Sequence, residues 1–131
     1  MPKIFRLAPV MGLLLVPSAA SLGDQNCSVH GEVFYHQRIA LPPNAVVKVL
    51  VEDTAIADAA AIPIGGKNYA MGQRSVPFAF SIDVDCERLK RAVEPTIRAR
   101  ITANHQLRFV SDTTNRVAPG KSHRIKLRMV K

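Results

Sequence analysis

From Ser28 onward apolar and polar positions alternate with a period of two, the signature of strands that turn one face to a core. In a first strand Val29, Gly31, Val33 and Tyr35 share one face while His30, Glu32 and His36 take the other, with Phe34 breaking the alternation. A second run places Ala45, Val47, Val49 and Val51 inward; Lys48 and Glu52 share the opposite face with Val46 and Leu50, which leaves that face half apolar. Pro42-Pro43 ahead of this run fixes the backbone and removes amide donors before strand pairing begins, so it predicts a rigid extended lead-in. Around Ile62 and Ile64 the pattern predicts a short turn or strand, followed by a bend at Gly65-Gly66 and a loop. "VPFAFSIDV" alternates again, with Phe78, Phe80 and Ile82 on one side, and "CERLKRA" fits one helical turn capped by Asp85. "PTIRARITA" sets Ile97, Ala99, Ile101 and Ala103 against Arg98, Arg100 and Thr102. Asn104-His105 supplies turn chemistry, and "QLRFVSDT" returns with Leu107, Phe109 and Ser111 opposite Arg108 and Val110. After Pro119-Gly120, "HRIKLRMVK" alternates Arg124, Lys126 and Arg128 against Ile125, Leu127 and Met129. About seven short, mainly antiparallel strands with no long helix predict an all-β fold, a single compact β-sandwich.

The segment ahead of the strands changes the picture of where the domain works. Lys3 and Arg6 precede an apolar stretch from Leu7 to Val16, and Pro17, Ser18, Ala19 and Ala20 follow. That order of basic, apolar and small residues predicts a secretory signal peptide over residues 1–23, cleaved after Ala20 or Gly23, and one domain over residues 24–131. The alternative, a membrane anchor, needs about 20 continuous apolar residues. Pro9, Pro17 and Ser18 interrupt the run, so the mature chain is expected to carry no transmembrane helix. Two cysteines, Cys27 and Cys86, form an even pair in an exported chain, most simply a disulfide. Closing so long a loop stabilises by roughly 4 kcal/mol in the chain-entropy account. Cys27 could instead carry an acyl anchor, but a lipoprotein signal has small residues directly before its cysteine. Asp24, Gln25 and Asn26 stand there, which argues against lipidation at Cys27.

Charge narrows the partners. The whole chain has a formal charge of +8, and without Lys3 and Arg6 about +6 remains. Such a surface favours anionic partners such as lipid head groups, acidic polysaccharide or an acidic protein segment. Nucleic acid suits the charge but not an exported protein, and with no Trp and only Tyr35 and Tyr69 there is little to stack bases on. Two binding surfaces stand out: a basic sheet face made of Arg98, Arg100, Arg108, Arg124, Lys126 and Arg128, and an apolar groove around Val46 and Leu50. Catalytic chemistry finds no support. His30, His36, His105 and His123 are scattered and predict no metal site; Asp83, Asp85 and Asp112 read as capping and turn residues. Ser75, Ser81 and Ser111 lack a nucleophile elbow, and Gly65-Gly66 lacks the rest of a phosphate loop. No catalytic residue and no cofactor is expected.

The stretch "VHGEVFYHQRIALPPNAVVKVLVED", then "IADA", "VPFAFSIDVD" and "RARITANHQLRFVSDTTNRV", resembles the YbaY-like lipoprotein domain family, which includes the YscW-type pilotins of type III secretion. The likeness runs from about Val29 to Lys131, and "RIALPP" and "LRFVSDT" are its most specific parts. What the resemblance implies is a periplasmic β-sandwich without catalytic residues, free or associated with the outer membrane. Its partner would be a segment of an envelope protein, such as the terminal region of a secretin. The competing expectation is a surface module that binds an anionic envelope component through the basic face.

Overall fold

The computed structural model describes residues 26–55 and 58–131, so the signal peptide expected over residues 1–23, with its cleavage site, lies outside the described residues. Seven strands and one short helix follow in order: β1 (Asn26–Phe34), β2 (Val46–Asp53), β3 (Ile62–Ala70), β4 (Phe78–Asp85), α1 (Cys86–Arg91), β5 (Pro95–Ala103), β6 (Gln106–Ser111) and β7 (Ser122–Met129). They hydrogen-bond in the order β3-β2-β5-β6-β7-β1-β4, antiparallel except where β1 runs parallel to β7. The expected all-β sandwich of mainly antiparallel strands is thus present, its two layers being one sheet folded over on itself. No helix among the described residues is long and apolar enough to cross a membrane.

The inward faces are those the alternation predicts. Val33, Val47, Val49, Val51, Ile97, Ile101, Phe109 and Ile125 lose all exposure to water, and branched aliphatic and aromatic residues suit a pleated, buried surface. Tyr35 stacks on Phe109 at 4.0 Å between ring centres and donates its hydroxyl proton to the Ile39 carbonyl. Burial raises the Tyr35 pKa above its ordinary value. The outer strands β3 and β4 do not pair by backbone; side chains close the seam. The Tyr69 hydroxyl donates to the Ser81 carbonyl at 2.8 Å and accepts from the Ser81 amide at 2.9 Å, and the Arg88 guanidinium donates to the Pro63 carbonyl. The disulfide between Cys27 and Cys86 ties the start of β1 to the start of α1. Asp85 caps that helix by accepting from the Glu87 amide.

Three local expectations need correction. Gly65-Gly66 makes no bend: both lie inside the nine-residue strand β3. A side chain at Gly65 would strike Val84 of β4, and one at Gly66 would strike Leu50 of β2, so these glycines serve close approach rather than a turn. Pro42-Pro43 is not an extended lead-in either. The Ala45 amide bonds to the Pro42 carbonyl at 3.0 Å, which makes Pro43 the second residue of a turn, where its fixed dihedral is favoured. The side chain of Asn44, in that turn, bonds to Asn104 in the β5–β6 turn. Leu107 and Met129, expected inside, are 42% and 38% exposed. The hairpin pairs Thr102 with Leu107 and then Ile101 with Phe109, so Arg108 is an extra, bulged residue. A one-residue bulge sends Leu107 to the opposite face from Phe109.

Candidate functional site

The outward sides of β2, β5, β6 and β7 form one continuous surface because consecutive pairs bring their polar positions into rows. Arg100 of β5 lies opposite Lys48 of β2 and Val110 of β6, and Val110 lies opposite Arg128 of β7. Arg98 lies opposite Leu50. The two surfaces predicted separately therefore meet: Lys48, Leu50, Arg98, Arg100, Val110 and Ser111 line a shallow groove of about 100 Å³. The groove exists because β6 leaves β5 there, and the Ser111 hydroxyl accepts the Ala99 amide proton in place of a ladder partner. Val46, the other residue expected in the groove, sits opposite Thr102 and does not line it.

The basic residues of this face divide into two sets. Arg98 is paired to Glu52 at 3.2 Å, Arg124 to Glu32 at 3.1 Å and Arg128 to Asp112 at 2.9 Å. Arg124 also lies over the Phe34 ring at 4.2 Å. These three charges are largely neutralised where they stand. Lys48, Arg100, Arg108 and Lys126 have no carboxylate within pairing distance among the described residues. Glu52 is nearly buried, and its Oε1, although close to Arg98, has no well-aligned hydrogen bond. The field is therefore weaker than six arginines and lysines would suggest, and two of its unpaired charges, Lys48 and Arg100, stand at the Leu50 groove.

Asp53 has a structural part. Asp53 at the end of β2 accepts from the Glu94 amide at 2.9 Å, the Val93 amide at 3.1 Å and the Ala55 amide at 3.2 Å. The Glu94 amide does most to hold its carboxyl below the ordinary carboxylate range; burial opposes it, and the amides of Val93 and Ala55 add further to the lowering. Sequence reasoning passed over Asp53, since two of the three amides it collects, those of Val93 and Glu94, are 40 and 41 residues away in the chain. Its only signal was an Asp at a strand end. Among the described residues no three His, Cys, Asp or Glu side chains gather as a metal-binding group. His123 alone among the histidines holds two partners: its Nδ1 faces the His30 carbonyl at 2.8 Å and its Nε2 accepts from the Ala118 amide at 2.9 Å.

Residues 24–129 match the family model of the type III secretion system lipoprotein chaperone (YscW). The chain is 31% identical over 93 residues to an uncharacterized lipoprotein, YbaY, of Escherichia coli (strain K12), a stretch that covers 71% of this chain. The chain spans about half the length of that curated relative, 49%. Among solved structures it is similar to an alternative pilotin from the type II secretion system of Vibrio cholerae, with a TM-score of 0.77 and 34% identity over 82% of this chain and 99% of that one. These findings correct one expectation. The expectation that lipidation is unlikely does not stand against a family described as lipoprotein chaperones and a relative named as a lipoprotein, while the Cys27 sulfur itself is taken up by the disulfide with Cys86. The three residues before Cys27 bear only on a local recognition sequence, whereas the likeness to lipoproteins extends over the whole folded domain.

Proposed function

Because the chain belongs to the family of type III secretion system lipoprotein chaperones (YscW), we propose that it is a non-enzymatic assembly domain of the bacterial periplasm that holds a segment of an outer-membrane secretin. Residues 1–23 serve as its export signal and residues 24–131 as the binding domain. The observation that carries this reading is the near-complete overlap with a pilotin structure at 34% identity. The contact surface is the groove over Leu50. Its apolar floor of Leu50 and Val110 takes an apolar side chain, and the unpaired Lys48 and Arg100 beside it take flanking carboxylates. Arg98, Arg108, Arg124, Lys126 and Arg128 form the surroundings, where rim charges steer encounter more than they add affinity.

The test is complex formation between the purified domain and the C-terminal fragment of the secretin from the same bacterium, measured by titration calorimetry. A one-to-one complex is expected, weakened at least about tenfold by Lys48→Glu combined with Arg100→Glu, the loss of two charge-assisted contacts. No binding by the folded domain refutes the reading. Binding to anionic vesicles that falls steeply with salt, together with no affinity for the fragment, replaces it with recognition of an anionic envelope component.

A further inference from the structure

Among the described residues a crevice of about 350 Å³ lies away from the Leu50 groove, beside the disulfide. Its walls are Val29 of β1, Leu89 of α1, Cys27, and Val117 and Pro119 of the connection into β7. That connection ends in a turn over residues 118–121: the Lys121 amide bonds to the Ala118 carbonyl at 3.1 Å, Pro119 is second, and Gly120 has a φ of 77°. Pro then Gly at the two central positions is the pattern of a type II turn.

Among the described residues, the side-chain hydrogen bond that ties this turn to the sheet is made by His123. The Ala118 amide can donate to Nε2 of His123 only if that nitrogen carries no proton. The ring proton of the neutral imidazole then belongs on Nδ1, where it is donated to the His30 carbonyl. The contacts thus assign the tautomer: both nitrogens are used, one as donor and one as acceptor. Adding a proton at Nε2 sets two donors, imidazolium and amide, face to face. The Nδ1 bond to β1 survives the change, while the Ala118 bond does not.

We propose that His123 is a proton-operated latch, its neutral ring clamping the 118–121 turn onto β1 and its protonated ring releasing the turn and opening the apolar crevice. Among the described residues no carboxylate lies within pairing distance of the ring to compensate. Along β1 and β7 the neighbouring Glu32 and Arg124 are paired with each other. Leu89 is what α1 presents, Lys121 of the turn is exposed, and His30 is the other titratable group lining the crevice. The flanking bond from the Val117 amide to the Pro95 carbonyl stays in place, so the opening is local, hinged at Val117.

The test is amide exchange of the intact domain by NMR, read as the protection of Ala118 relative to Ile125 in the middle of β7. Between about pH 8 and about pH 5 this ratio is expected to fall about tenfold, the worth of one hydrogen bond. His123→Gln should flatten the response, and His30→Asn should keep it. A ratio that does not change in the wild-type domain overturns the latch. So does a nitrogen-15 spectrum that places the proton of the neutral ring on Nε2, or a pH response lost in His30→Asn and retained in His123→Gln. The wild-type measurements decide the matter even if a variant fails to fold.

Discussion

Gly31 faces His123 across the parallel β1–β7 pairing, and a methyl group there would lie 2.0 Å from the His123 carbonyl oxygen and 2.7 Å from its carbonyl carbon and amide nitrogen. All three are backbone atoms, so no rotamer change relieves the clash. Contacts of this kind essentially never fall below 3.0 Å, so Gly31→Ala must push the strands apart by about 1 Å. Ladder bonds stretched that far leave hydrogen-bonding range. Losing two of them at about 1 kcal/mol each, with about 1–3 kcal/mol for overpacking, gives a destabilisation of about 3–5 kcal/mol. Out of a total of about 5–15 kcal/mol for a typical domain, that is a large fraction, and the melting temperature should fall by at least roughly 12 °C. Urea and thermal unfolding followed by circular dichroism measure it, with Gly120→Ala as the comparison. Gly120 has no heavy atom within 4 Å of the added methyl and only a positive φ of 77° to oppose it, at a cost of about 1–2 kcal/mol. If Gly31→Ala unfolds no earlier than Gly120→Ala, the close parallel approach of β1 and β7 is wrong.

Two further outcomes follow from the same fold. Reducing the Cys27–Cys86 bond, or replacing both cysteines by Ser, frees a loop with a sequence separation of 59 and should cost up to about 4 kcal/mol, seen as a lower urea midpoint; an unchanged midpoint would refute a stabilising role. Asp53 has a folded-state pKa below its unfolded value, so it stabilises the fold above the ordinary carboxylate range, and this contribution is lost as pH falls through that range toward the folded pKa. The stability gap between wild type and Asp53→Asn should therefore be widest near neutrality and close on acidification, as read from urea midpoints at several pH values. A gap independent of pH would remove the amide cradle as its cause.

Most of the candidate surface could be read in advance, for a reason visible in β5. Arg98 and Arg100 alternate with Ile97, Ala99 and Ile101, and a period of two assigns faces whatever the partner strand is. Which of those arginines stay free could not be read. Glu52, Glu32 and Asp112 neutralise Arg98, Arg124 and Arg128 from other strands or from a loop beyond β6. The merging of the Leu50 groove with the basic face was equally hidden, since it requires β2 and β5 to be neighbours in a particular register.

Local alternation of side chains was enough to specify an all-β fold, the buried valines and isoleucines, the helical turn after Asp85 and the cysteine pair, because each depends on a few consecutive residues or on composition. Pairing order, the parallel β1–β7 contact, the bulge at Arg108, the close approach of β3 to β4 at Gly65 and the two-sided clasp of His123 came only from the folded chain. These features join residues far apart in sequence, and a strand's own pattern says which side is buried without saying what lies next to it.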